Sequence, residues 1–132
     1  MRVAIVGASA GLGRCIGTGL AQRGAHVALL ARRYDRLVEA AKDAGNGAVA
    51  IACDVTVTDS CKKAMSEVVG ALGGLDALVY TTGMGVLAPL REVTAEQWAQ
   101  LFATNVTGAA LVTAAAARIW RRRPALPYTC PH

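Results

Sequence analysis

The sequence predicts an α/β fold built on a doubly wound parallel sheet. Three observations carry that prediction. Short apolar runs recur at Arg2–Val6, His26–Ala31, 48–53 and 77–81, each of a length and composition that suits a strand buried on both faces. A helical pattern separates each run from the next and follows the last. The order is therefore β-α-β-α-β-α-β-α, which implies parallel strands, helices on both faces and right-handed crossovers. Finally, the first run breaks straight into glycines, at Gly7, Gly11 and Gly13, before helical spacing begins.

Taken in order, the first helix is expected at about 12–23, with Cys15, Ile16, Gly19 and Leu20 at helical spacing and Gly24 in the position that ends it. His26–Ala31 is the second strand. Arg32 and Arg33 open a polar helix over about Tyr34–Ala44, stopped by Gly45-Asn46-Gly47. The third strand, 48–53, closes on Asp54. Thr58 or Asp59 caps a third helix, which runs to Leu72 and stops at Gly73-Gly74. After the fourth strand a glycine-bearing loop spans 82–90. Thr94-Ala95-Glu96-Gln97 has the form of a capping box and starts a helix carrying Trp98, Leu101, Phe102 and Asn105.

Composition narrows the function classes. At 132 residues the chain is one domain's worth, and 54% hydrophobic against 17% charged residues argues for a packed core rather than disorder. The net charge of +5 is not spread over the chain. Residues 1–117 carry ten basic and nine acidic side chains, and the remaining bases are Arg118, Arg121, Arg122 and Arg123. A neutral body with a basic end reads as a solvated terminus, so no nucleic-acid partner is expected. Cys15, Cys53, Cys61 and Cys130 form no Cys-x-x-Cys pair, and no zinc spacing is present. They read as buried free thiols in a reducing cytoplasm. The apolar start is too short for a signal peptide, and the stretch 106–117 is too short to span a bilayer, so a soluble cytoplasmic protein is expected.

A strand that breaks into glycines and restarts as a helix presents free backbone N–H groups at a positive helix end, which suits a diphosphate. The spacing here is Gly-x-x-x-Gly-x-Gly. With Asp54-Val55 after the third strand, Gly83 after the fourth and Asn105 in the following helix, residues 1–117 resemble the N-terminal half of the short-chain dehydrogenase/reductases. Val6 stands where that family's glycine motif usually has Thr. Tyr80-Thr81-Thr82-Gly83 stands where it has Asn-Asn-Ala-Gly, so only the glycine is kept.

The resemblance implies a Rossmann-type sheet, here truncated after about four strands, and a nicotinamide dinucleotide. It implies cofactor contacts at Gly7, Ser9, Gly11, Leu12, Gly13, Arg32, Asp54, Val55 and Gly83, with Asp54 against the adenine ring. The implied reaction is hydride transfer between the nicotinamide and a small-molecule carbonyl or alcohol. Charge bears on which dinucleotide is used. An acid at the end of the second strand would hydrogen-bond the ribose diol and repel a 2′-phosphate. This chain has Ala31 there, followed by Arg32 and Arg33. A guanidinium pairs with phosphate, so NADP is expected rather than NAD, with Arg32 as the contact. The plainer alternative is that both arginines solvate a helix start.

Of the family's catalytic set only Asn105 is found; the plainer role for Asn105 is to bond backbone at a helix irregularity. The last lysine is Lys63, the last serine is Ser66, and Tyr128 is followed four residues on by His132. Residues 118–132 are arginine- and proline-rich with no strand period, an irregular basic tail outside the 1–117 domain. The tail reads either as a frame lost near Arg118 or as a natural short variant. Two functions follow: an NADP-dependent oxidoreductase, here truncated and inactive alone, or a non-catalytic dinucleotide-binding or interaction module. An open fourth strand and an uncovered apolar helix face also make homo-oligomerisation an expectation.

Overall fold

In the computed structural model, which describes residues 1–120, strand and helix alternate as the pattern requires. The elements are β1 (Arg2–Val6), α1 (Gly11–Gln22), β2 (His26–Ala31), α2 (Tyr34–Ala44), β3 (Val49–Ala52), α3 (Thr58–Leu72), β4 (Ala77–Tyr80), α4 (Ala95–Phe102) and α5 (Gly108–Ala117). A 3-10 turn, Leu90–Glu92, precedes α4, and a π-helical turn, Ala103–Thr107, joins α4 to α5. All strand pairs are parallel, in the order β3-β2-β1-β4. Val6 stands opposite Leu30 on one side and Tyr80 on the other.

The strands alternate between two cores, as a pleated strand buried on both faces must. Ala4, Val6, Ala28, Leu30 and Ile51 face α3 and α5, where Met65, Val68 and Val112 are buried. Val3, Ile5, Val27 and Leu29 face the other way, against Ala21, Leu37 and Ala40 of α1 and α2. Each large aliphatic side chain buried this way contributes about 1.5–3 kcal/mol.

Three local expectations change. The buried stripe of α1 is Gly13, Gly17 and Ala21, not the one through Cys15, which is exposed. The cause is close helix–sheet approach: a Cβ on Gly17 would come within 2.5 Å of Leu29 Cδ2. Only Cys53 and Cys61 are the expected buried thiols; Cys130 lies outside the described residues. Neither Thr58 nor Asp59 caps α3. Val57 is its N-cap, with no side-chain hydrogen bond, and Asp59 sits in the first turn, where its charge suits the helix dipole. The basic tail lies outside the described residues from Arg121 onward.

The capping box before α4 is present. Thr94 N–H donates to Gln97 Oε1 at 2.9 Å, and Gln97 N–H donates to Thr94 Oγ1 at 3.2 Å. From there the chain is helical without a break over Ala95–Ala117, 23 residues that include an 18-residue window of mean hydropathy 1.2, so by length and composition this helix reaches a bilayer's width where the stretch 106–117 alone does not. Val112, Ala115 and Ala116 are buried in the α3 core, the packing of a helix that covers a sheet. The π turn is held from below. Tyr80 Oη donates to the Thr104 carbonyl at 2.6 Å, and a Cβ on Gly108 would lie 3.0 Å from that hydroxyl.

At the opposite end of the sheet Arg2 and Asp76 join the starts of β1 and β4. Asp76 Oδ2 accepts from Arg2 N–H at 2.8 Å and from Arg2 Nε at 3.1 Å, and Oδ1 accepts from Nη2 at 2.8 Å. The guanidinium holds the Asp76 carboxyl well below the usual carboxylate range. A carboxyl depressed in the native state stabilises it above the unfolded-state pKa of about 3.9, and that stabilisation fades as pH falls toward the native value. Asp76→Asn is therefore expected to lower the urea midpoint at neutral pH and to flatten its fall below about pH 4. Tyr80→Phe removes the bond to the π turn and should cost about 1 kcal/mol of unfolding free energy, read by the same denaturation.

Candidate functional site

Parallel pairing brings the carboxyl ends of all four strands to one edge of the sheet. The chain leaves β1 toward β2 and β3 on one side and crosses to β4 on the other, so the loops after β1 and β4 part around a crevice. In open α/β sheets such a switch in strand order is where ligands bind. A cleft lies there. Gly7, Ser9 and Ala10 line it from the β1–α1 loop, and Arg32 and Arg33 from the end of β2. Asp54, Val55 and Thr56 line it from the end of β3, and Thr81, Thr82 and Gly83 from the end of β4. Thr104 of the π turn closes the far side.

Glycine is required at two places in this loop. Gly7 has φ +91°, and a Cβ on it would sit 2.8 Å from Thr81 Oγ1 and from the Thr82 N. A Cβ on Gly13 would collide with the Gly7 carbonyl oxygen and with Thr81 Oγ1. The start of α1 is thereby seated directly on the end of β1. Gly7 N–H and Ala8 N–H both donate to the Leu30 carbonyl, at 2.8 and 3.1 Å. Ala10, the N-cap of α1, supplies no side-chain bond, so the first turn of the helix is free to take an anion. This cradle, which side chains would fill, fits the diphosphate of a dinucleotide.

The structure brings Gly7, Ser9, Arg32, Asp54, Val55 and Gly83 to the cleft. Gly11 and Leu12 are exposed in the first turn of α1, and Gly13 is buried beneath it. Asn105 lies outside the lining and is engaged at both ends: its Oδ1 accepts from Met84 N–H, and its Nδ2 donates to the Met84 carbonyl, both at 2.8 Å. It sits within the π turn and ties that turn to the loop after β4, the local role weighed above for this residue.

Asp54 is held by its neighbours. Its Oδ1 accepts from Thr56 Oγ1 at 2.6 Å and from Thr56 N–H at 2.9 Å. Those bonds, with the nearby Arg32 charge, hold the Asp54 carboxyl below its ordinary value. Cys53 is the reverse case: burial, with the adjacent Cys61 thiol, pushes it up to about 12, so it stays an unreactive thiol.

Residue types and spacing miss four hydroxyl-bearing side chains at the site. Thr56 and Ser60 brace Asp54, and Thr81 replaces a missing asparagine. Thr81 Oγ1 donates to the Val6 carbonyl at 2.8 Å, so the ends of β1 and β4 are still bridged by a side chain. Tyr80 stands in the other asparagine position and reaches the π turn instead. A hydroxyl straight after a buried strand is the one signal that points to Thr81, and it is a common one.

The fold has close counterparts among known proteins. The short chain dehydrogenase family model matches residues 1–125. A glucose 1-dehydrogenase of Gluconobacter oxydans is 33% identical over 123 residues, covering 90% of this chain and 46% of that protein. A sorbitol dehydrogenase of Cereibacter sphaeroides is 34% identical, covering 86% of this chain and 44% of its own length. Among solved structures, a short-chain type dehydrogenase/reductase from Mycobacterium marinum superposes with a TM-score of 0.85 at 36% identity, over 89% of this chain and 49% of that one. An actinorhodin polyketide ketoreductase solved with NADPH gives 0.83 at 28% identity, over 88% of this chain and 46% of that one. The chain thus spans about half the length of the relatives it matches. With its four parallel strands, its glycine cradle and a family match over residues 1–125, the chain belongs to the short-chain dehydrogenases.

Proposed function

We propose that this chain is the cofactor-holding part of an NADP-dependent oxidoreductase, with residues 1–117 as the dinucleotide-binding unit. One observation carries the choice of NADP. The end of β2 has no acid and presents Arg32 and Arg33 to the same cleft as the glycine loop. The first turn of α1 takes the diphosphate, Asp54 and Val55 take the adenine, and Arg32 takes the 2′-phosphate. Ser9, Gly11, Leu12, Gly13 and Gly83 shape the path between them. When bound, the nicotinamide exchanges a hydride with a small-molecule carbonyl or alcohol.

Asn105 is the one member of the family's catalytic set among these residues. In this reading it sets the loop after β4 against the π turn. The serine and the Tyr-x-x-x-Lys pair are not among the 132 residues. The chain by itself therefore binds the dinucleotide without turning over substrate. The same absence supports the second reading, a dinucleotide-binding module without chemistry. Exposed Trp98, Phe102 and Val106 recur at helical spacing along one helix and suit self-association. Thiols at Cys53 and Cys61 suit a reducing cytoplasm.

Calorimetric titration with NADPH and NADH tests the cofactor choice. A charge-assisted contact to the 2′-phosphate contributes about 1.5–3 kcal/mol. Arg32→Ala is therefore expected to weaken NADPH binding by about tenfold to a hundredfold and to leave NADH nearly unchanged. Equal losses for both would remove Arg32 from the 2′-phosphate. No uptake of either ligand by the folded wild-type chain at millimolar concentration would remove the cofactor reading itself.

A further inference from the structure

The adenine-side carboxylate is braced on every side but one. Asp54 N–H donates to Ser60 Oγ at 2.9 Å, and the Asp54 carbonyl accepts from Val57 N–H at 3.1 Å. Oδ1 takes both the hydroxyl and the N–H of Thr56. Among the described residues, only Oδ2 is left without a hydrogen-bond donor, on a side chain that lines the cleft. Thr56 closes this arrangement as a local turn, with a side-chain carboxylate accepting from the residue two positions on.

We propose that Thr56 is a positioning residue that sets which purine the cleft accepts, by engaging Oδ1 of Asp54 and leaving Oδ2 as a single fixed acceptor. The proposal rests on the reading that Asp54 meets the base. A carboxylate accepts and does not donate. Adenine offers it an amino N–H at C6. Hypoxanthine offers a carbonyl oxygen there, which repels Oδ2, and its nearest donor, N1–H, lies one ring position away, out of line with an acceptor fixed for the C6 amino group. Sites that hydrogen-bond a ligand group discriminate strongly against the analogue lacking it, provided the site's own group cannot turn away.

Thr56 supplies that condition. The terminal torsion of an aspartate is soft, so without the hydroxyl the carboxylate keeps only the bond from the residue-56 backbone N–H and turns more easily. Arg32 lies near enough to help lower the Asp54 pKa, and it offers the freed carboxylate another partner. Losing Thr56 therefore blurs base selection, with Asp54 itself unchanged.

The test is calorimetry on the full chain at pH 7 with NADPH and its hypoxanthine counterpart, alongside NMR titration of the Asp54 carboxyl without ligand. Wild type should prefer the adenine form by about tenfold or more. Thr56→Val should reduce that preference to about threefold or less and raise the Asp54 pKa toward the ordinary carboxylate value. Thr56→Ser, which restores the hydroxyl, should keep both properties. Thr56 is exposed, so its variants are expected to fold, and Thr56→Ala gives the same readouts if the valine variant does not. An adenine preference that Thr56→Val leaves intact would overturn the role of Thr56 and spare that of Asp54. No preference in wild type would overturn both, and NADPH binding that persists there would still support the glycine cradle. An unchanged, low Asp54 pKa in Thr56→Val would overturn the positioning role directly.

Discussion

The contact that organises this molecule is the seating of α1 on the end of β1. Gly13 lies against the Gly7 carbonyl with no room for a Cβ, and Thr81 presses on the same point from β4. Gly7 itself adopts a backbone conformation that a side chain would strain. Two consecutive segments and a third, 74 residues on from Gly7, therefore meet in a space that only hydrogen can occupy at two positions. The consequence is directional. The start of α1 is aimed across the switch in strand order, and its free amides face the place where the other strand ends converge. Further along α1, Gly17 against Leu29 maintains the same close approach, so the helix cannot lift away from the sheet without opening its core.

From that seating the rest of the site follows by parallel pairing. Arg32, Asp54 and Gly83 belong to different loops, yet each lies just beyond a strand whose register with its neighbour is fixed by burial on both faces. A one-residue slip would exchange the two cores, placing the residues that pack on α3 against α1. The alternation of Ala4 and Val6 toward one core, and Val3 and Ile5 toward the other, thus protects the geometry of the cleft as well as stability.

What could be read from the chain was what depends on local period. Strand and helix order, the capping box of Thr94 and Gln97, and the glycine loop are short-range features, and the structure has them where the pattern put them. The features that escaped depend on contacts between distant segments. The buried stripe of α1 runs through Gly13 and Gly17 because the sheet lies so close, and a count of apolar residues favours Cys15 instead. The start of α3 differs from the expected cap: Asp54 bonds Thr56 before the helix and Ser60 in its first turn, Val57 takes the N-cap, and Thr58 lies inside the helix. The π turn has no period to announce it. It exists because Tyr80, from a strand, and Asn105, through Met84, hold it from two sides.

Opposite charges face each other at the cleft. Arg32 and Asp54 line one cavity, and a cation and a carboxylate left free there would pair and close it against a ligand. Thr56 works against that outcome. By supplying two hydrogen bonds to Oδ1 it stabilises the ionised carboxylate in place, a job the guanidinium would otherwise do. In the proposed reading, Arg32 keeps its charge and its fork of donors for a phosphate, and Asp54 keeps an acceptor for a base. The opposed groups can serve two ends of one ligand because a neutral hydroxyl keeps them apart. A residue outside the glycine motif is thereby part of how the cleft, in the proposed reading, holds a dinucleotide.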